Sequence, residues 1–377
     1  MNNKLDTQPA MLKIQQTSSI EAANFQSIYQ RASRSKQAIL LLLLFLLSGT
    51  ILYAVAVGTV SISLPEILAI FRRQFFTELS SQYDLNHYIV WQIRLPRIAA
   101  AVVTGVALAM GGVIMQAIFR NPLASPYTLG VSSGASFGAA LAIVLGSSLF
   151  GVKLAQSAQT LIAVNAFLFG CLSLAFVYTV AQIRAGSTTV LLLAGVALSS
   201  LFGAGVSALS YFSNNEALRN LTVWLMGGFW GVNWSALTIL TPITLLALLV
   251  LTLHAWELNA IGSGEEVAET LGVDVKRVHL VTLITVTLAA SAAIAFSGVI
   301  GFIGLVAPHI TRSFMGVDNR YLIPGSALMG GLMLLAADTI ARTIIAPTEI
   351  PVGIITALFG APFFLYILVT REQGMWS

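Results

Sequence analysis

The chain has 377 residues, of which 57% are hydrophobic and only 9% are charged. Soluble domains carry about 25% charged residues, so this composition excludes a water-soluble enzyme. The formal charge of +4 is scattered between apolar stretches, and we expect no nucleic-acid partner. Cys171 is the single cysteine, which excludes a disulfide or a thiolate metal site within the chain.

Residues 1–36 are polar and rich in Gln, Ser and Asn, which predicts a disordered cytoplasmic tail. A leucine-rich run follows Lys36 and leads to Ala54-Val55-Ala56, a pattern that a cleaved signal peptide also shows. The length of the run and the further apolar stretches favour a first transmembrane helix instead.

Nine stretches after residue 36 lack Asp, Glu, Lys and Arg, and nearly all contain the roughly 20 residues that a bilayer crossing needs. Backbone groups in lipid must be hydrogen-bonded internally, so these stretches predict helices. We therefore expect an all-α polytopic membrane protein in which residues 37–377 form one domain.

The uncharged stretch 278–311 decides the number of crossings. Basic residues flank it at Lys276–Arg277 and at Arg312 and Arg320, which predicts that both its ends lie in the cytoplasm. Its 34 residues would reach ~51 Å as one helix, which is short of the ~60 Å that two full crossings require. We expect one full span and one short, broken span, interrupted by Gly298, Gly301, Gly304 and Pro308. The count becomes about ten segments, with both termini in the cytoplasm.

The distribution of positive charge supports this topology, because twelve of the nineteen Lys and Arg residues would lie in the cytoplasm. The outer side nevertheless holds a group of arginines, Arg72, Arg73, Arg94 and Arg97, against the usual bias. This exception calls for a functional reason.

Two segments have a sequence that breaks regular helix at membrane depth, 120–126 and 301–309. Irregular backbone is tolerated there only where it is buried or lines a cavity. A cytoplasmic turn explains the first segment equally well, whereas the shortened helix favours a pathway-lining or interface role for the second.

Asp338 is an acid inside a predicted span, and Arg342 follows four residues later. A structural ion pair is favoured over a proton relay, although a secondary transporter driven by protons or sodium remains the alternative that Asp338 would support. An intramembrane enzyme is disfavoured, because no nucleophile–base pair or metal-ligand spacing is visible. We expect no cofactor.

The segment 257–277 has the features of a short helix displayed outside the membrane. Ser263 and Glu266 have the spacing of a capping box, and Gly272 would end the helix. Val267, Ala268 and Leu271 form an apolar stripe with acids around it. Membrane-surface helices are usually basic, so docking into a groove of a soluble partner is favoured.

Several motifs occur in order along the chain. They include Arg94-Leu-Pro-Arg97, Arg120-Asn-Pro-Leu-Ala124, Trp224-Leu-Met-Gly-Gly228, Glu269-Thr-Leu-Gly-Val273, Gly301-Phe-Ile-Gly-Leu305, Ala337-Asp338 with Arg342, and Glu349-Ile-Pro-Val-Gly353. In these motifs the chain resembles the type II ABC importer permeases of the iron-siderophore/cobalamin (FecCD-like) family, over about residues 38–370.

The resemblance implies a non-catalytic permease subunit with about ten helices, in a bacterial cytoplasmic (inner) membrane. It implies a homodimer, two cytoplasmic ATPase subunits that hydrolyse ATP, an external substrate-binding protein and contact with membrane lipid. The implied cargo is an iron(III)-siderophore-type chelate, and the same role for cobalamin or haem stays open.

The resemblance also implies roles for particular residues. Arg94, Arg97 and Arg342 would dock the binding protein, which would explain the outer arginines. A cytoplasmic gate would lie at Ser187, Thr188 and Thr189, where an N-cap for a helix from Val190 is also compatible. The ATPase contact would be formed by Glu265, Glu266, Val267, Ala268, Glu269, Leu271 and Gly272.

Overall fold

The computed structural model describes residues 33–58, 60, 62–76, 85–146, 158–183 and 188–370, and every regular element in these ranges is helical. The all-α prediction is confirmed. The predicted tail extends to residue 36, whereas the first helix already begins at Ser33, and residues 1–32 lie outside the described residues.

The helices are α1 (Ser33–Ala56), α2 (Leu64–Phe76), α3 (Leu85–Phe119, with a π-helical stretch at Ile89–Arg94), α4 (Val131–Leu145), α5 (Ala158–Ile183), α6 (Thr188–Phe212), α7 (Asn215–Met226), α8 (Trp234–Leu253), α9 (Ala255–Gly262), α10 (Glu265–Thr270), α11 (Val275–Ser297), α12 (Ile303–Met315), α13 (Asn319–Thr343) and α14 (Val352–Thr370), with a 3-10 turn at Pro126–Leu129.

Seven of these helices, α1, α3, α5, α6, α8, α11 and α13, are long and apolar enough to cross a membrane. Two shorter apolar helices, α4 and α14, add to them. The 13-residue α12 is the short segment expected after α11. Within the described ranges the number of membrane helices therefore agrees with the predicted ten.

The break between α11 and α12 occurs where two residues have positive backbone φ angles. Gly298 and Phe302 have positive φ angles of 67° and 68°, and α12 begins directly afterwards. The predicted break is confirmed in place but not in all its residues, because Gly304 and Pro308 lie inside α12. Positive φ, which glycine adopts without steric cost, ends the helix here, and the proline does not.

The two broken segments meet at their edges, through residues that directly adjoin them. The Tyr127 hydroxyl donates a hydrogen bond to the carbonyl of Ile300. Pro126 lies so close to Gly111 that a Cβ there would be 2.9 Å from the proline ring. Gly111 is nine residues, or about 13 Å of helix, before Arg120. The segment after α3 thus contains a turn, in which the Ala124 N–H donates to the Asn121 carbonyl at 3.0 Å, and then folds back beside that helix.

Helix α3 is the central helix, with 78% of its most apolar window buried. A Cβ at Gly105 would overlap the Gly330 carbonyl of α13, and one at Gly112 would overlap the Gly304 carbonyl of α12. Small residues let backbones approach in this way within a membrane, where apolar burial does not drive association. This close packing fixes the position of α3 against α13, the two helices that carry most of the buried charge.

Candidate functional site

Helix α13 connects two polar regions of the bundle. Its 25 residues span about 37 Å, so Asn319 and Arg342 lie near opposite ends. We call the end that carries Arg342 the arginine end and the end that carries Asn319 the coupling end.

Asp338 and Arg97 form a buried two-point ion pair at the arginine end. The Arg97 Nε lies 2.9 and 3.2 Å from the two carboxylate oxygens, and Nη2 lies 2.8 Å from Oδ1. Such bidentate, charge-assisted contacts are among the strongest hydrogen bonds in proteins. The predicted pair with Arg342 also exists, but its Nε is 3.8 Å from Asp338. The closer partner comes from another helix.

The other two arginines hold the end of α1. Arg342 donates to the carbonyl of Ala54, and the Arg94 Nη1 donates to those of Val55 and Ala56 at 2.6 and 3.3 Å. The last four carbonyls of a helix have no partner within it, and this end carries partial negative charge. Arg94 and Arg342 therefore satisfy both the hydrogen-bonding groups and the dipole of α1.

Glu349 and Trp230 complete the cluster from two loops. The Arg97 Nη1 lies 2.8 Å from the Glu349 Oε2, and the indole nitrogen of Trp230 donates to the same oxygen at 2.7 Å. The Glu349 side chain is 29% exposed, compared with 9% for that of Arg97. Glu349 thus forms the accessible edge of the cluster. Three arginines face two carboxylates, which leaves one net positive charge.

The structure brings together the three arginines that the sequence predicted for docking. Arg94, Arg97 and Arg342 are nevertheless all buried, and each guanidinium contacts groups of its own chain. In this conformation they serve to join α1, α3 and α13.

The coupling segment, residues 257–277, contains α9 and α10 at the other end. The predicted capping box is wrong, because Gly264 is the N-cap of α10 and Ser263 closes α9. The φ angle of Gly264 is 136°, which glycine reaches easily and which turns the chain between the helices. The predicted stop at Gly272 is confirmed by its φ of 84° just after α10.

The predicted apolar stripe of α10 divides into an anchor and an exposed pair. Ala268 is fully buried, whereas Val267 is 47% and Leu271 57% exposed. Four further predicted coupling residues are also exposed: Glu265, Glu266, Glu269 and Gly272. The helix therefore displays two apolar side chains among acids, on a base fixed to the bundle.

Two polar joints fix this base. The Arg120 Nη2 donates to the carbonyl of Ile261 at 3.0 Å, which ties the end of α3 to α9. The Asn259 side chain donates to Asp318 Oδ1 and accepts from the backbone N–H of Asn319, both at 2.8 Å. Asn259 thereby uses both its donor and its acceptor on the start of α13.

The predicted gate is only partly described. Ser187 lies outside the described residues, Thr188 is the first residue of α6, and Thr189 is exposed. Helix α6 begins two residues before the predicted Val190.

Sequence reasoning assigned no role to Glu349, Trp230, Asn259 or Asp318. Glu349 and Trp230 are 119 residues apart, and Asn259 and Asp318 are 59 apart. Glu349 begins the motif Glu349-Ile-Pro-Val-Gly353, which was a signal in the sequence. Nothing in the spacing of the other three residues indicates a contact.

Among the residues that the structure describes, no three His, Cys, Asp or Glu side chains are grouped so that they could hold a metal ion. The arrangement can pair charges, hold helices together and contact other proteins.

Comparison with known proteins identifies the family. The model of the FecCD transport family matches residues 40–370. The hemin transport system permease protein HmuU of Yersinia pestis is 42% identical over 294 residues, which are 78% of this chain and 87% of that protein. The cobalamin import system permease protein BtuC of Halobacterium salinarum is 46% identical over 286 residues, 75% of this chain and 74% of that one.

A solved structure agrees with the fold. It shows an inward-facing conformation of a metal-chelate type ABC transporter, with a TM-score of 0.77 and 34% identity, and the match covers 89% of this chain and 100% of that chain. Family membership favours an ATP-driven importer over the ion-coupled transporter that Asp338 alone had left open. The chain belongs to the FecCD transport family and is a non-catalytic permease subunit of an ABC importer.

Proposed function

We propose that residues 37–377 form the permease domain of an importer that carries an iron(III)-siderophore-type chelate across the cytoplasmic membrane. Two copies of the chain would form the pathway, with both termini in the cytoplasm. Two ATPase subunits would bind at the coupling end, and an external binding protein would deliver the chelate at the arginine end.

The exposed pair on α10 is the observation that carries this proposal. Val267 and Leu271 present apolar surface to solvent, while buried Ala268 anchors α10 and the joints at Ile261 and Asn259 hold the adjacent α9. An apolar helix face that lies in a groove of a partner is a recurrent mode of recognition. A rigidly held helix also transmits movement of that partner to α3 and α13.

Docking at the arginine end is supported by charge. The cluster keeps one net positive charge although its arginines are buried, and this charge attracts acidic side chains of a partner. Charge complementarity of this kind sets orientation and association rate more than affinity. Arg94, Arg97 and Arg342 remain our proposed docking residues, with a rearrangement of their present contacts on binding.

The pathway and the homodimer are supported by helix α6. It is the least buried of the seven long apolar helices, at 17% of its window. Its exposed face carries Thr189, Val196, Ser200 and Ser207, and both serine hydroxyls donate to carbonyls of their own helix. The same face carries Leu193 and Tyr211, which are 65% and 83% exposed, so it is largely apolar with a few weakly binding polar groups, which suits a conduit that must release its cargo. We propose the gate at Ser187, Thr188 and Thr189, where α6 begins.

The cargo class is supported by relatives that are named for hemin and cobalamin, and by a neighbour of metal-chelate type. An iron(III) chelate is our first candidate. Cobalamin is the second, because the relative named for it is 46% identical. Uptake assays in proteoliposomes that hold the complete complex, with an iron(III) siderophore, haem and cobalamin offered in turn, decide between them.

The ATPase contact is tested by replacing Val267 and Leu271 together with Asp. Both side chains are exposed, so we expect the chain to fold, to lose its ATPase subunits on purification and to lose uptake. Ser263→Asp is the matched control, because it adds negative charge to the same segment and leaves the apolar pair intact. Full retention of the ATPase subunits by the double variant contradicts the proposal.

A further inference from the structure

We propose that Glu349 is an internal competitor for the external binding protein. On this view, its carboxylate occupies the position at Arg97 Nη1 that an acidic side chain of the binding protein takes on docking. The inference rests on the proposed function, in which that protein docks at the arginine end.

The two carboxylates on Arg97 differ in access. Asp338 is fully buried and holds Nε and Nη2, so no partner reaches that side of the guanidinium. Glu349 holds Nη1 from the exposed edge, with 29% of its side chain accessible. The side now covered by Glu349 is therefore the direction from which another carboxylate can approach Arg97.

The two carboxylates also differ in how they are anchored. Asp338 lies within α13, whereas Glu349 lies outside any helix, in the loop between α13 and α14. The indole N–H of Trp230 fixes the Glu349 carboxylate, and Trp230 is itself 38% exposed. Both members of this contact are at the surface of the cluster.

Exchange of carboxylates avoids the main cost of opening a buried ion pair. Removing one partner of such a pair leaves an uncompensated charge, which is strongly destabilising. If an incoming carboxylate replaces Glu349, Arg97 stays paired throughout and Glu349 and Trp230 are released together. Docking would then alter the loop that leads into α14.

Glu349→Gln tests the inference directly. The amide oxygen can still accept the Trp230 hydrogen bond, but the competing charge at Arg97 is gone. We expect the dissociation constant of the binding protein to fall about tenfold, as for removal of one close charge competitor. Trp230→Phe removes the anchor without changing charge and should give a smaller gain in the same direction.

The measurement uses the complete permease–ATPase complex in nanodiscs and the purified binding protein of the same importer, loaded with an iron(III) siderophore. Glu216→Gln is the matched control, because it removes an exposed acid from α7, the helix that leads to Trp230, without touching Arg97. Tighter binding by Glu349→Gln and Trp230→Phe, with Glu216→Gln unchanged, supports the inference.

Other outcomes overturn it. Equal affinity of wild type and Glu349→Gln refutes the competition and leaves the proposed function intact. An equal gain in Glu216→Gln shows a general charge effect and also refutes it. Absence of any binding to wild type refutes the proposed docking itself, and the competition with it.

Discussion

The two ends of the bundle use charged residues in opposite ways. At the arginine end, Arg97 and Asp338 are buried and paired within the chain. At the coupling end, Glu265, Glu266 and Glu269 are exposed on a six-residue helix. In the sequence, both groups are unusual because they are charges that lie within or beside long apolar stretches.

The difference teaches that a charge beside a membrane span has one of two uses. A charge withdrawn from water needs a partner inside the protein, so it joins helices, here α1, α3 and α13. A charge that stays in water contributes little to folding and is free to define a contact surface. Solvent exposure, rather than charge itself, therefore distinguishes the coupling end, which is available for contacts, from the arginine end, where the charges hold helices together.

The largest effect on stability is expected from removing the buried acid. Asp338→Ala leaves Arg97 and Arg342 without their shared carboxylate, and we expect a loss of stability of about 3–5 kcal/mol. Thermal unfolding of the detergent-solubilised chain measures it. Glu216→Ala, which removes an exposed acid, should leave the unfolding temperature unchanged. Equal unfolding temperatures for Asp338→Ala and wild type would show that the pair does not hold the bundle together.

An intermediate effect is expected at the joint between the ends. Asn259→Ala removes two hydrogen bonds and leaves Asp318 and the N–H of Asn319 each one partner short, a loss of about 1–3 kcal/mol. Because this joint links α9 to α13, ATP hydrolysis per transported chelate should rise. Ser263→Ala, at an exposed neighbouring residue, is the control. An unchanged ratio of ATP hydrolysed to chelate transported in Asn259→Ala would show that the Asn259 contacts do not take part in coupling.

The smallest effect is expected from titration of Asp318. Partial burial raises the pKa of Asp318, but hydrogen bonds from Arg320 and Asn259 outweigh burial and hold the pKa below its ordinary value. A lowered pKa in the folded state stabilises the protein above the unfolded value, and this contribution is lost as pH falls through the folded value. The unfolding temperature should therefore drop below about pH 4, and less so in Asp318→Asn. Parallel pH profiles for the two proteins would contradict this account.

The broken helix shows how far local sequence reasoning reaches. Length, together with the basic residues that flank 278–311, predicted one full and one short span, and α11 and α12 confirm it. Composition could not decide which residue interrupts the helix, so the prediction was wrong for Gly304 and Pro308, which lie inside α12. The contact of Tyr127 with Ile300 was beyond prediction, because it joins segments 173 residues apart.

The sequence by itself determined the properties that depend on local composition. Too few charges for a soluble surface, uncharged stretches of helical length and an acidic amphipathic segment fixed the membrane class, the ten segments and the exposed helix α10. Lipid imposes the apolar helical stretches, because backbone groups within the membrane must be paired within each helix, and the acidic segment follows from its own composition.

Only the tertiary structure decided the partners of the polar groups. Asp338 had one visible candidate, Arg342, yet its closest partner is Arg97, 241 residues away. The same holds for Glu349 with Trp230 and for Asn259 with Asp318. Burial makes a partner necessary for Asp338, but the choice among possible partners depends on which helices the small residues of α3 allow to approach.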